Sequence, residues 1–273
     1  MGGTRTLGGM AAIGREIAPE VRAYYERGDE DQRLRAGAGR FEFWRTQDVL
    51  RRLLPPRARV LDVGGGSGIH AAWLAEDGHD VELIDPVPLH VSQASRHVPA
   101  RLGNALDLGA PDASYDVVLL LGPLYHLLER PDRVRALCEA GRVTRGLVVA
   151  ATINRFAPLH DTLRMGRYFE PDARARVTAT VESGAHRPAD TDALFTTAYF
   201  HAPDEIAAEV ADAGLILTGQ YGVEGAAWLM GGIDEWLDDP ARRADVLAAM
   251  RVTESVPSLL GVSGHVLTAA RIP

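Results

Sequence analysis

The sequence has no lysine, one cysteine and few aromatics, and each shortage narrows what the chain can do. Without lysine, all 29 fixed positive charges are arginine, a bias that reflects codon usage more than chemistry. The lone cysteine, Cys138, excludes an internal disulfide and a cysteine-built zinc site. No metal is expected. A basic surplus is missing as well: 29 basic against 37 acidic residues give a net charge of −8, whereas a nucleic-acid face shows as a basic stripe. No apolar run approaches the ~18 residues of a membrane span. Residues 1–4 open no signal-peptide core. The chain is expected to be soluble and cytoplasmic, with neither nucleic acid nor membrane as partner and with homo-oligomerisation left open.

What is present reads as an ordinary globular composition, 46% apolar and 24% charged over 273 residues. Residues 1–14 are glycine-rich and expected to be poorly ordered. From Ile17 to Leu34 apolar and aromatic residues punctuate a charged background, as in one or two short amphipathic helices. A Gly-Ala-Gly break at 37–39 precedes a helix over 48–54 that Pro55 and Pro56 end. Strands at 60–63, 81–84, 98–102, 116–121, 146–151, 215–221 and 265–270 then alternate with helices at 69–77, 89–97, 131–143 and 204–212. This is the alternation of an α/β doubly wound, Rossmann-like sheet of seven strands. Segments 154–200 and 222–263 are insertions that cap it.

The chain is organised around the turn from Asp62 to Gly68. Val60 to Val63 suits a buried parallel strand, and Gly64, Gly66 and Gly68 let backbone N–H groups approach a ligand at the start of the next helix. A dinucleotide fingerprint needs glycine or alanine where Ile69 stands, which disfavours a nicotinamide oxidoreductase. Asp-x-Gly-x-Gly-x-Gly instead resembles motif I of the class I S-adenosylmethionine (SAM) methyltransferases. Asp85 ends the second strand, where a carboxylate can take two ribose hydroxyls or cap the helix after Pro86. With Asn104-Ala105 after the third strand and Leu121-Gly122-Pro123-Leu124-Tyr125-His126-Leu127 after the fourth, the register resembles a small-molecule subgroup of that family. The resemblance covers about residues 20–273 and is strongest from Val60 to His126.

The resemblance implies SAM as cofactor, with S-adenosylhomocysteine (SAH) as product. It puts Asp62, Gly64, Gly66 and Gly68 near the methionine end, Asp85 on the ribose and Asn104 on the adenine, with Pro86, Ala105 and Leu121 also against the cofactor. Asn104 stands where Asp is more usual. The sulfonium already activates the methyl group, so the protein mainly aligns a nucleophile and removes its proton. Strand-end loops supply candidates for both roles. As a general base we expect His126 first and His201 second. Tyr125, Arg155, Phe200 and Glu224 are expected to hold the acceptor, and Asn154, Phe156, His186 and Tyr199 are further candidates. Each has a purely structural reading beside the functional one. No Asn/Asp-Pro-Pro-Tyr/Phe run follows the fourth strand, and Cys138 falls within a helix, where it reads as a packed small hydrophobe rather than a nucleophile. The acceptor is therefore a small molecule.

Tyr24, Tyr25, Phe41, Phe43 and Trp44 crowd a segment of a chain that is only 6% aromatic. Residues 1–46 are therefore expected to be a helical lid over a core at 47–273, with Tyr25 on the cofactor and Arg45 pairing the methionine carboxylate. A static helix packed on the core is the competing reading. For the whole chain the alternative to catalysis is a regulatory, non-catalytic SAM-binding protein.

Overall fold

The structure, a computed structural model, describes residues 17–27, 30–188 and 195–273. The glycine-rich start at 1–14 lies outside the described residues. Three helices come first, α1 (Pro19–Tyr25), α2 (Glu30–Arg35) and α3 (Gly37–Leu53). The alternation then runs β1 (Arg59–Val63), α4 (Ile69–Glu76), β2 (Asp80–Asp85), α5 (Pro88–Ala94), β3 (Ala100–Leu102), β4 (Tyr115–Leu120), α6 (Arg130–Val143) and β5 (Thr144–Ile153). A first insertion holds α7 (Ala157–Arg164), α8 (Pro171–Ser183) and the two-residue strands β6 (Ala185–His186) and β7 (Ala198–Tyr199). The chain returns through α9 (Pro203–Asp212) to β8 (Ile216–Gly222). A second excursion through α10 (Ile233–Asp238), α11 (Pro240–Thr253) and α12 (Pro257–Leu260) leads into β9 (His265–Arg271).

The main sheet has the order β3-β2-β1-β4-β5-β9-β8. Its first five strands are parallel, and β9 lies antiparallel between β5 and β8. Helices cover both faces, so the central parallel strands are largely apolar: Val60, Leu61, Val63 and Val117 to Leu120 are buried. Each such side chain contributes up to ~1.5–3 kcal/mol. Strand order reverses between β1 and β4, and the crevice beyond the carboxyl ends of strands at such a point is where open α/β sheets hold ligands. Because β9 is antiparallel, its first residue, His265, opens at that same end, opposite Ile153.

Three local expectations need correction. The glycines at 37–39 do not break the chain; they start α3, which runs unbroken through residue 46 to Leu53. A side chain at Gly39 would meet the Arg33 carbonyl oxygen at 1.9 Å, so its absence is what lets α3 start against the end of α2. β5 is longer than its apolar run, because seven residues from Leu147 to Ile153 pair with β9. Cys138 is exposed on α6 rather than packed. Among the described residues no helix is long and apolar enough to cross a membrane.

Candidate cofactor and acceptor sites

β1 delivers Asp62 to the end of the sheet, and the glycine turn folds over it. Gly64 has φ of +66°, and its N–H donates to the Ile84 carbonyl at 2.7 Å, fixing the turn to β2. A Cβ at residue 65 would lie 2.4 Å from Asp62 Oδ2, so only glycine fits there. Asp85, at the end of β2, accepts from the Gly66 N–H at 3.0 Å and the Val87 N–H at 2.8 Å, with His90 Nδ1 at 3.1 Å. The Asp62 carboxyl is buried, and among the described residues neither of its oxygens has a hydrogen-bond partner. Burial and the nearby Asp85 carboxylate push it up to about 7. A buried polar group without a partner needs an explanation, and a ligand that brings a positive charge or N–H donors supplies one.

These groups open on a cavity of about 360 Å³. Tyr25, Asp62, Gly64, Gly66, Asp85, Pro86, Asn104, Ala105 and Leu121 line it, as do Tyr125 and His126. The Asn104 side-chain oxygen accepts from the Leu106 N–H at 2.9 Å, which orients the amide. α1 roofs the cavity: the Tyr25 hydroxyl lies 2.7 Å from His126 Nε2, and the Tyr25 ring stands edge-on to His90. His126 Nδ1 faces the Thr197 carbonyl at 3.3 Å. A carbonyl only accepts, so Nδ1 carries the proton and Nε2 accepts from Tyr25. Burial lowers His126 to about 4.

A second cavity, of about 470 Å³, shares Tyr25, Arg33, Glu42 and Tyr125 with the first. Ile153, Phe195, Phe200 and Trp228 give it an apolar wall, and Glu42, Glu224 and His265 gather at one side. His265 Nδ1 is 2.6 Å from Glu224 Oε1 and 3.9 Å from Glu42 Oε2. Arg33 grips both Glu42 oxygens, at 2.6 and 3.1 Å. Burial opposes charge on both Glu42 and His265. Arg33 and His265 nevertheless hold Glu42 at about 2, and Glu42 and Glu224 raise His265 to about 9.

Residues 60–146 match a methyltransferase domain family. The chain is 36% identical over 104 residues to the ubiquinone biosynthesis O-methyltransferase of Methylocella silvestris, covering 36% of this chain and 40% of that protein. It is 29% identical over 192 residues to the enzyme of the same name from Xanthomonas axonopodis pv. citri, covering 67% of this chain and 73% of the other. The fold is similar to that of magnesium protoporphyrin IX methyltransferase from Synechocystis PCC 6803 with bound SAH. That likeness has a TM-score of 0.57 at 14% identity and covers 93% of this chain and 98% of that one. Residues 60–146 carry a methyltransferase domain. SAM is the cofactor of that domain, and the residues present fit it: a side-chain-free turn, an unpartnered buried carboxyl and a second carboxylate at the end of β2.

Four residues expected in the methyltransferase site lie elsewhere. Arg45 is wholly buried: Nε donates to the Val223 carbonyl at 2.8 Å, Nη1 to Asp48 at 2.5 Å and Nη2 to Glu254 at 2.6 Å. Its donors are spent tying α3 to α11, so it does not meet a ligand carboxylate. His201 is buried with Nε2 3.2 Å from Glu209, which Arg133 also holds at 2.8 Å. The group is a strut between α6 and α9, and burial lowers the His201 pKa. Arg155 spends its guanidinium on Glu205 at 2.6 Å, the Tyr199 hydroxyl at 2.9 Å and the Phe200 carbonyl at 3.2 Å. Gly68 lies behind the turn, where a Cβ would meet Ala94 of α5 at 3.0 Å. Among the acceptor candidates, Tyr125, Phe200, Glu224 and His186 line the second cavity, the last stacked on Phe200.

The aromatics of the N-terminal segment also divide. Tyr24 and Tyr25 face the cavities. Phe41 packs with Ala227, Ile233 and Leu237, and Trp44 lies under Arg243 at 3.7 Å. Sequence reasoning missed Gly65, His90, Glu42 and His265. The topology holds the signal for the last, since the first residue of an antiparallel strand next to β5 must open at the ligand end.

Proposed function

We propose that the chain transfers the methyl group of SAM to a small, partly apolar or aromatic acceptor. The unpartnered Asp62 carboxyl beneath the glycine turn carries this reading, because a cationic methionine end would satisfy it. The bound cofactor supplies an electrophilic methyl group; the chain's own residues orient it and exclude water. In this reading Asp62, Gly64 and Gly66 hold the methionine end, Asp85 and Pro86 the ribose, and Asn104, Ala105 and Leu121 the adenine. Tyr125 and Phe200 form the wall against which the acceptor lies in the second cavity, and α1 is a lid that Tyr25 latches to His126. The two relatives described above are named O-methyltransferases of ubiquinone biosynthesis, which supports a small-molecule acceptor. A cytoplasmic location and the lack of a nucleic-acid partner belong to the same reading, on the net charge of −8.

Calorimetric titration tests it. SAM and SAH are expected to bind, and Asp85→Ala is expected to weaken SAM about ten- to a hundredfold, the effect of removing a charged hydrogen-bond partner from a buried ligand. Unchanged affinity in the folded variant would remove Asp85 from the site. Methylated product from labelled SAM separates an enzyme from a regulatory SAM-binding protein.

A further inference from the structure

We propose that His265 and Glu224 form a proton-accepting dyad in the acceptor cavity. His265 Nε2 takes the proton of a hydroxyl on an aromatic acceptor while Glu224 fixes the ring. This rests on the methyl-transfer reading and assigns its general base.

The geometry separates His265 from His126, the histidine first expected as the base. Both nitrogens of His126 are engaged, one by Tyr25 and one by the Thr197 carbonyl. On His265 only Nδ1 is engaged, at 2.6 Å from Glu224, and among the described residues no hydrogen bond reaches Nε2. Glu224 is itself immobilised. Its Oε2 accepts from the His265 N–H at 2.8 Å and from Ser263 Oγ at 3.0 Å, and Ser263 Oγ in turn accepts from the Glu224 N–H at 3.1 Å. A carboxylate that fixes one imidazole nitrogen so that the other can take a proton is the arrangement general-base catalysis needs. The position of the dyad suits proton removal beside the cofactor, since Glu42, next to His265, borders the cofactor cavity too.

Glu42, Glu224 and His265 are also three metal-type ligands whose atoms lie within 4.8 Å of one another. Charge argues against an ion there. Two carboxylates face the Arg33 guanidinium and a His265 that the same carboxylates keep protonated, so the cluster is neutral without a dication. The groups facing His265 are thus Glu42 from α3, Arg33 from α2 and Glu224 from the loop after β8.

In the step, which starts from the neutral imidazole formed as pH rises towards about 9, the acceptor's O–H bond breaks and its proton goes to Nε2. The oxygen pair forms the new O–CH₃ bond, and the electron pair of the broken S–CH₃ bond stays on sulfur as a neutral thioether. A phenol ionises near 10, close to the His265 value of about 9, so this proton transfer is nearly balanced.

The wild-type chain, His265→Asn and Glu224→Gln are to be compared with methyl-labelled SAM and three phenols: catechol, 1-naphthol and 4-hydroxybenzoate. SAM affinity by calorimetry reports folding of each variant. The expected result is a phenol ether from the wild type, with kcat/KM rising with pH towards about 9. His265→Asn should lose about a hundredfold or more in kcat at unchanged SAM affinity. In Glu224→Gln the alkaline limb should move to lower pH, because the carboxylate that raises the imidazole is gone. NMR of ¹⁵N-histidine-labelled protein without cofactor should show the same downward move of the His265 resonance. A His265→Asn enzyme that keeps its turnover overturns the dyad and leaves methyl transfer standing. So does activity lost to a chelator and restored by a divalent ion, which makes the cluster a metal centre. A wild type that binds SAM but leaves all three phenols untouched overturns the hydroxyl acceptor. One that does not bind SAM overturns the underlying function as well.

Discussion

Asp62 and Glu224 are both buried carboxyls near the ligand end of the sheet, yet they are treated in opposite ways. Among the described residues Asp62 has no partner on either oxygen, while Glu224 is held by the His265 ring, the His265 N–H and the Ser263 hydroxyl. The same contrast separates two regions. Around the glycine turn, polar capacity is left open in a cradle too tight for side chains. Around the insertions, buried charges are paired with one another, Arg45 with Asp48 and Glu254, and Arg133 and His201 with Glu209, and half-buried Arg155 pairs with Glu205. A buried pair says where the frame is fastened. A buried group without a partner says where something else belongs.

Removing a frame charge should have the largest effect. Arg45→Ala leaves Asp48 and Glu254 buried with fewer partners, and is expected to cost about 3–5 kcal/mol in a urea titration while the folded fraction binds SAM as before. Weaker SAM binding by that folded fraction would return Arg45 to the cofactor site. Asp62→Asn inverts the pattern. SAM affinity should fall about ten- to a hundredfold. Yet the unliganded protein should become more stable at pH 8. The Asp62 carboxyl, held at about 7 in the folded state against 3.8 in the unfolded chain, makes stability fall as pH rises through that window, and Asn does not ionise. A melting temperature higher by ~2–4 °C per kcal/mol regained is the readout, and a lower one would show that Asp62 is satisfied in the free protein. Tyr25→Phe is expected to have the smallest effect, ~0.5–1.5 kcal/mol for one neutral hydrogen bond to His126. It should speed proteolysis of the 17–35 segment in SAM-saturated protein, and an unchanged rate would mean that α1 is held by packing alone.

The glycine turn and the lining of the first cavity were legible because they are local in sequence. Glycines between a buried strand and a helix state a backbone conformation, and the ends of apolar runs locate Asp85 and Asn104 to within a residue. The acceptor side depends on which way a side chain points. Phe200 and His201 are adjacent in an extended stretch, so they face opposite ways: Phe200 lines the second cavity and His201 meets Glu209 in the core. Arg45 follows Trp44 in α3, and one helical step turns it from the Arg243 side towards Asp48 and Glu254. Residue type showed neither. Nor did it show His265, which is placed by the pairing of β9 rather than by its neighbours in the chain.

That pairing also orders events during synthesis. Of the seven strands of the main sheet β9 is made last, but it is an interior one, flanked by β5 and β8. Until it emerges, both flanking strands present open edges, a state prone to unwanted pairing with other chains. The glycine turn and the strands that carry it are complete long before that, so a nascent chain could hold the glycine cradle while still lacking the histidine that lines the second cavity.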